Sequence, residues 1–247
     1  MKQYIGSLLL TISVFQLYGQ AIITDRPDQT ESSSIVERGH FQIESGIVVL
    51  YQEDNSASEQ QLLLPTTLFR YGLTDRFELR VVNQLERKNI NGIPMQGISD
   101  LELGTKVQLL KKENINTEIA LLSHLVLPTG TSEFSNNTFS TINKLSISHE
   151  LNNQLGLGYN LGYDYLGVGI GDFTYSIALA IEVNDKVGLY IEPYGRWVDF
   201  AAIEANFDGG FTYLIHDNFQ LDFSFGVGLN YTMNYLSIGF SWKTIKN

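Results

Sequence analysis

The sequence predicts an all-β fold, a transmembrane antiparallel up-and-down β-barrel of about twelve strands with short periplasmic turns and longer outer loops. Three observations predict it. Apolar and aromatic residues recur at every second position over runs of about ten residues, the two-residue period of a strand with unlike faces. Short turn signals alternate with longer polar or Gly-rich connections along the chain. The apolar face is nearly free of charge, whereas the opposite face is rich in Gly, Ser, Asn, Thr and Ala with a charge every few residues. A soluble exported barrel or sandwich would instead carry abundant Lys and Glu on its polar face, so the second face suits a crowded lumen better than a solvated surface.

The elements follow in order. Residues 1–20 place one Lys before an apolar stretch too short to cross a bilayer and end in Gly19-Gln20, the shape of a secretory signal peptide and hence of export. Residues 21–39 are polar, with Pro27 and the acids Asp25, Asp28 and Glu31, and add no regular strand. They form a periplasmic segment, read either as a plug or latch in the barrel mouth, with Asp25, Arg26, Asp28 and Glu31 meeting lumen charges, or as a loose leader.

Residues 40–247 form the barrel, with strands at 40–51, 61–71, 76–86, 98–110, 116–127, 139–150, 154–165, 172–183, 187–198, 205–215, 219–229 and 233–242. Residues 154–165 show the alternation best, with Leu155, Leu157, Tyr159, Leu161, Tyr163 and Tyr165 opposed to Gln154, Gly156, Gly158, Asn160, Gly162 and Asp164. Short turns fall at 73–76, 112–114, 151–153, 183–186 and 215–218. Longer connections fall at 52–60, 87–97, 128–138, 166–171 and 199–204. Aromatic residues gather toward strand ends, with Trp197 and Trp242 as interface anchors.

The composition narrows the function. Of 247 residues, 16 are Lys or Arg and 27 Asp or Glu, a formal charge of −11, which leaves too few cations for a nucleic-acid surface. With no Cys, thiol catalysis and Cys-ligated metals are excluded.

Two stretches carry a family resemblance. Thr24-Asp25-Arg26-Pro27-Asp28-Gln29-Thr30-Glu31-Ser32, followed by Val36 and by Gly39-His40-Phe41-Gln42-Ile43-Glu44-Ser45-Gly46, resembles the N-terminal signature of a Gram-negative outer-membrane family. The family is named for the meta-pathway of phenol degradation, and its members are often labelled transporters. Tyr71-Gly72-Leu73-Thr74-Asp75-Arg76, Gly97-Ile98-Ser99-Asp100 and Leu127-Pro128-Thr129-Gly130 are similar to its later motifs. The resemblance implies an outer-membrane location and small hydrophobic or aromatic solutes. It supplies no agreed ligand residues.

Parity places Glu44, Glu78, Arg80, Glu86, Glu102, Lys106, His124, Lys144, Asp164, Asp172, Glu182, Glu192, Arg196, Asp208 and Asp222 in the lumen, because charges are costly on the lipid face. Arg70 is ambiguous, since its strand is apolar on both faces. The set reads either as a mutually paired network filling the barrel or as a solute-selecting ring. Acids predominate, which favours cations or neutral solutes over anions.

No enzyme chemistry emerges. His216 sits in a turn, His40 at a strand start and His149 on the lipid-facing register. Ser148 and His149 are adjacent, hence on opposite faces of a strand. His124, near Glu102 and Lys144, reads as a structural hydrogen-bonder rather than a proton relay. No cofactor and no metal are expected, and the implied partners are outer-membrane lipid, lipopolysaccharide and a small solute; oligomeric state stays open. The reading is a solute channel, with a closed structural or adhesive barrel as the alternative.

Overall fold

The structure is a computed structural model describing residues 21–53, 57–112 and 115–245; the stretch 1–20, read above as a signal peptide, lies outside the described residues. The strands are β1 (Phe41–Glu53), β2 (Ser58–Thr74), β3 (Phe77–Ile90), β4 (Ile93–Ile98), β5 (Leu101–Lys112), β6 (Ile115–Leu127) and β7 (Ser140–Asn152). They continue as β8 (Leu155–Tyr165), β9 (Asp172–Asn184), β10 (Val187–Val198), β11 (Ala202–His216), β12 (Phe219–Gly228) and β13 (Thr232–Lys243). All but β4 pair with sequence neighbours into a closed antiparallel barrel, sealed where β1 meets β13 from Gln42↔Lys243 to Glu53↔Thr232. Closure removes both sheet edges, which lipid could not satisfy.

One connection expected as a loop is a hairpin. Residues 87–97 extend β3 and turn at Asn91-Gly92, with φ of 51° and 86°, into β4, which pairs from Ile90↔Ile93 to Leu85↔Ile98. Positive φ at both turn residues matches the twist of the flanking strands, and Asn-Gly adopts it readily. The barrel therefore has twelve strands plus one that prolongs a hairpin at the long-loop end.

A second departure lies in β2. The partners run Gly46↔Thr66 then Val48↔Leu63 against β1, and Thr66↔Gln84 then Leu63↔Glu86 against β3, so Leu64 and Pro65 together face one residue on each neighbour. Such a bulge shifts the side-chain parity of the strand. Above it Gln61 reaches into the lumen to Glu86, and below it Arg70 does, 1% exposed. A strand with one parity switch shows apolar residues in both registers, which is why β2 looks two-faced in sequence.

The burial pattern is the inverse of a soluble core. Along β13, Tyr235, Ser237, Ser241 and Lys243 are buried, whereas Leu236, Ile238 and Phe240 are exposed. The fully buried large side chains include Arg70, Arg80, Lys106, Glu44, Glu78 and Glu192. A broad exposed apolar band around a polar interior is suited to lipid, and short turns mark the periplasmic end. The barrel belongs in the outer membrane. Trp197 and Trp242 are both exposed on the outer face, near the long-loop and short-turn ends respectively.

Candidate functional site

The lumen holds residues 22–38, the segment ahead of the first strand. They begin at the short-turn rim, where Ile22 N–H donates to the Asp217 carbonyl, and cross to several strands before Phe41 starts β1. Gln29 N–H donates to Glu192 on β10, and the Thr30 hydroxyl bonds Glu192 and Ser176 on β9. Glu31 N–H donates to Asn160 Oδ1 (2.7 Å) on β8, which returns a bond to the Glu31 carbonyl (3.0 Å). Ser33 bonds Ser148 on β7, Ser34 bonds Glu118 on β6, and Val36 N–H donates to Glu78 on β3. A polar segment without regular structure needs partners for its backbone and side-chain groups alike, and the inward-facing side chains of six strands supply them.

The tightest grip is a buried charge cluster. Asp25 accepts from Arg80 Nη1 (2.6 Å) and Lys106 Nζ (2.9 Å), and Arg70 Nη1 lies at 3.2 Å. Arg70 clasps Glu78 with two parallel bonds of 2.8 and 2.9 Å and donates to Glu44 at 2.8 Å. Glu44 in turn accepts the backbone N–H groups of Asp25 and Arg26, both at 2.9 Å, while Glu31 pairs with Arg80 at 2.9 Å. Four carboxylates thus surround three cations. With every member hydrogen-bonded the cluster is tolerable in a dry interior; a half-satisfied one would not be.

Arg26 occupies a socket in the wall. Its guanidinium donates to Asp222 Oδ1 and to Ser237 Oγ, each at 2.9 Å. It lies over the cross-strand pair Gly46↔Gly239, where a Cβ would stand 2.5 and 2.4 Å from Arg26 Nη2. Gly72 likewise leaves room for the backbone of Val36 and Glu37, whose carbonyl oxygens a Cβ would meet at 2.3 and 2.2 Å. Side chains at these positions would exclude the segment.

The remaining expected lumen residues divide by height. His124 is buried, accepts from Arg80 Nε at Nε2 (3.1 Å) and therefore donates from Nδ1 to Glu102 (2.8 Å). Its two ring nitrogens are engaged in positioning charges. Asp208, cross-strand from Glu192, accepts from Tyr235 at 2.6 Å. Glu86 joins Gln61, Ser99 and Lys88 toward the long loops. Lys144 and Asp164 line the outer half, and Arg196 stands at the outer mouth with Glu204 (2.7 Å) and Asp172 (3.5 Å). Glu182 is exposed at the short-turn rim, and Asp28 lines the cavity on that side. His149 bonds Thr117 and Tyr159 from the outward register.

Arg70, central to the cluster, was ambiguous in sequence because of the β2 bulge. The glycine sockets gave no sequence signal. A strand glycine looks the same whether it accommodates a bend or a guest.

Space remains on both sides of the segment. A cavity of about 410 Å³ opens at the short-turn end between Thr30–Ser34 and the ends of β6 to β9. Two more, of about 360 and 290 Å³, lie on the other side and share Gln29 and Lys144. Above them the 128–138 loop folds onto Asp100, which accepts the N–H groups of Gly130 (2.8 Å) and Asn136 (3.1 Å). Burial raises the Asp100 carboxyl, but these bonds from Gly130, Ser135 and Asn136 outweigh it and hold the group below the usual carboxylate range.

Residues 24–241 match the family described as "Putative MetA-pathway of phenol degradation". The chain belongs to this family. The match includes both the lumen segment and the wall that holds it. No curated protein matches the sequence. Among solved structures, a KdgM porin in complex with disordered oligogalacturonate aligns with a TM-score of 0.56 at 11% identity, covering 83% of this chain and 99% of the porin. A second KdgM porin structure gives 0.52 at 11% identity, over 81% and 99%. The Ralstonia pickettii toluene transporter TbuX gives 0.47 at 10%, over 88% and 92%. At these identities the likeness is one of fold, the outer-membrane β-barrel.

Proposed function

We propose that this family member is an outer-membrane channel for small solutes, with its N-terminal segment as a resident plug. One observation carries the reading: a closed barrel with a lipid-facing apolar exterior holds cavities on both sides of a polar segment that crosses its lumen. Twelve strands enclose more room than the eight whose side chains fill the interior, and less than the sixteen or more of open aqueous channels. The segment takes up much of the difference. Small hydrophobic or aromatic solutes are the class to which the family's description points.

The lumen acids are not a free cation-selecting ring. Glu44, Glu78, Asp25 and Glu31 are neutralised by Arg70, Arg80 and Lys106, and Asp222 by Arg26. The mutually paired network is therefore the better supported of the two sequence readings for this cluster, whereas Glu192 and Asp208 accept from hydroxyl and backbone N–H groups instead. That same cluster favours a second reading, a barrel kept closed by its own segment.

Single-channel conductance of the refolded protein in planar bilayers, with and without residues 22–38, separates them. Current steps from either form support transport. A β-rich, correctly folded barrel silent in both forms refutes it.

A further inference from the structure

The plug grips one wall and only touches the other. Its charge cluster and Arg26 socket fasten it to β1, β2, β3, β5, β12 and β13. On the far side the inward register of β8 and β9 is built from small residues, Gly156, Gly158 and Gly162 on one strand and Ala178 and Ala180 on the other. On β8 and β9 themselves the contacts are neutral, Thr30 with Ser176 at 2.7 Å and the Glu31 backbone with Asn160, while on neighbouring β10 the Glu192 carboxylate accepts from the Thr30 hydroxyl and the Gln29 N–H.

The cavities meet along that same line. Ser176 and Asn160 line the outer cavity, whereas the next inward residues down each strand, Ala178 and Gly158, line the inner one. On the segment, Asp28, Thr30 and Ser32 line the inner cavity and Gln29 and Glu31 the outer ones. One layer of hydroxyl and amide groups separates the two spaces.

We infer that solutes pass between the plug and the β8–β9 wall, and that Thr30, Asn160 and Ser176 form the constriction that selects them. This rests on the channel reading above. Groups that both donate and accept hydrogen bonds, without charge, exchange bonds with a passing solute at little net cost. The constriction therefore suits small uncharged solutes carrying a hydroxyl or similar group. Anions must shed water there beside the Glu192 carboxylate that accepts from Thr30 and Gln29, with no cation of the constriction to replace it. The plug need not leave the barrel for passage; breaking the Thr30 and Asn160 contacts is enough.

The sequence has no Cys, so single-cysteine variants report one position each. Thr174→Cys on the outer side, Ser176→Cys at the constriction, Ala180→Cys on the inner side and Ser241→Cys on the gripped wall would be refolded into liposomes. Each is then treated with a bulky methanethiosulfonate after folding, and labelling is checked by mass. Swelling in an isotonic small sugar is the readout.

Intact protein should swell the liposomes, and labelling at positions 174, 176 and 180 should abolish most of that rate. Ser241→Cys, fully buried and away from all three cavities, should stay unlabelled by mass and swell at the same rate before and after treatment. Undiminished swelling after confirmed labelling at 174 and 180 would overturn the route. So would an intact protein that is sealed while the 22–38 deletion swells. No swelling from either form, with the barrel folded, removes the channel reading itself.

Discussion

The wall of β1, β2, β3 and β5 and the wall of β8 and β9 share a strand period and a polar inward register, yet they treat the same segment in opposite ways. The first presents Glu44, Arg70, Glu78, Arg80 and Lys106, long charged side chains that reach across the lumen and close around Asp25 and Glu31. The second presents glycine, alanine and short polar groups that stop at the wall. Alternation, switched once at the β2 bulge, therefore decides which residues face inward. Side-chain length decides whether the lumen there is filled or vacant.

The sharpest way to break this contrast is to remove the central cation. Arg70→Met leaves Glu44, Glu78 and Asp25 buried without their main partner and should cost about 3–5 kcal/mol, read from urea unfolding in lipid vesicles. Gly239→Leu tests the socket rather than the charge. Filling the space under Arg26 should cost about 1–3 kcal/mol and open residues 21–38 to a protease added from the short-turn side. On the opposite wall, Asn160→Ala should cost only about 1 kcal/mol, because Asn160 and Glu31 each line an outer cavity with room for water to serve the freed backbone. If Asn160→Ala destabilises as much as Arg70→Met, the two walls do not differ in grip.

The smallest effect lies outside the membrane. The Asp100 carboxyl is held below its ordinary value of 3.8 when folded. Its stabilisation is then complete above that pH and is lost as pH falls through the lower folded value. The protection factors of the Gly130 and Asn136 amides, exchange measured against the intrinsic rate at each pH, should be high at neutral pH and fall in acid, and Asp100→Asn should abolish that pH dependence. The lumen segment should not respond over the same range if the outer clamp and the plug are independent.

Strand positions were largely legible. Runs read at 154–165, 172–183 and 219–229 appear as Leu155–Tyr165, Asp172–Asn184 and Phe219–Gly228, because a barrel wall between lipid and polar lumen enforces strict alternation. The β3–β4 hairpin was equally available, in Asn91-Gly92, but a polar stretch between strands reads first as a loop. Arg70 was hidden by a bulge that no pattern within β2 locates, since it becomes visible only when both neighbours' registers are known. Asp25 and Arg26 stood out as charged residues ahead of the first strand, whereas the course of their segment did not. A chain without periodicity is positioned wholly by its partners, and Glu44, Asn160 and Asp222 are far apart in sequence.

The glycine sockets have a consequence for recovery after opening. The segment runs without a break into β1 through Gly39 and Phe41, so a displaced segment remains tethered within reach of its own mould. Short tethers of this kind correspond to local concentrations of about millimolar, whatever the amount of protein in the membrane. Resealing is then a first-order event within one barrel. The recognition surface belongs to the wall rather than to the tether, so a free peptide spanning residues 21–38 should refill a barrel from which that segment has been cut, competing as an ordinary ligand for the place it normally holds as a part.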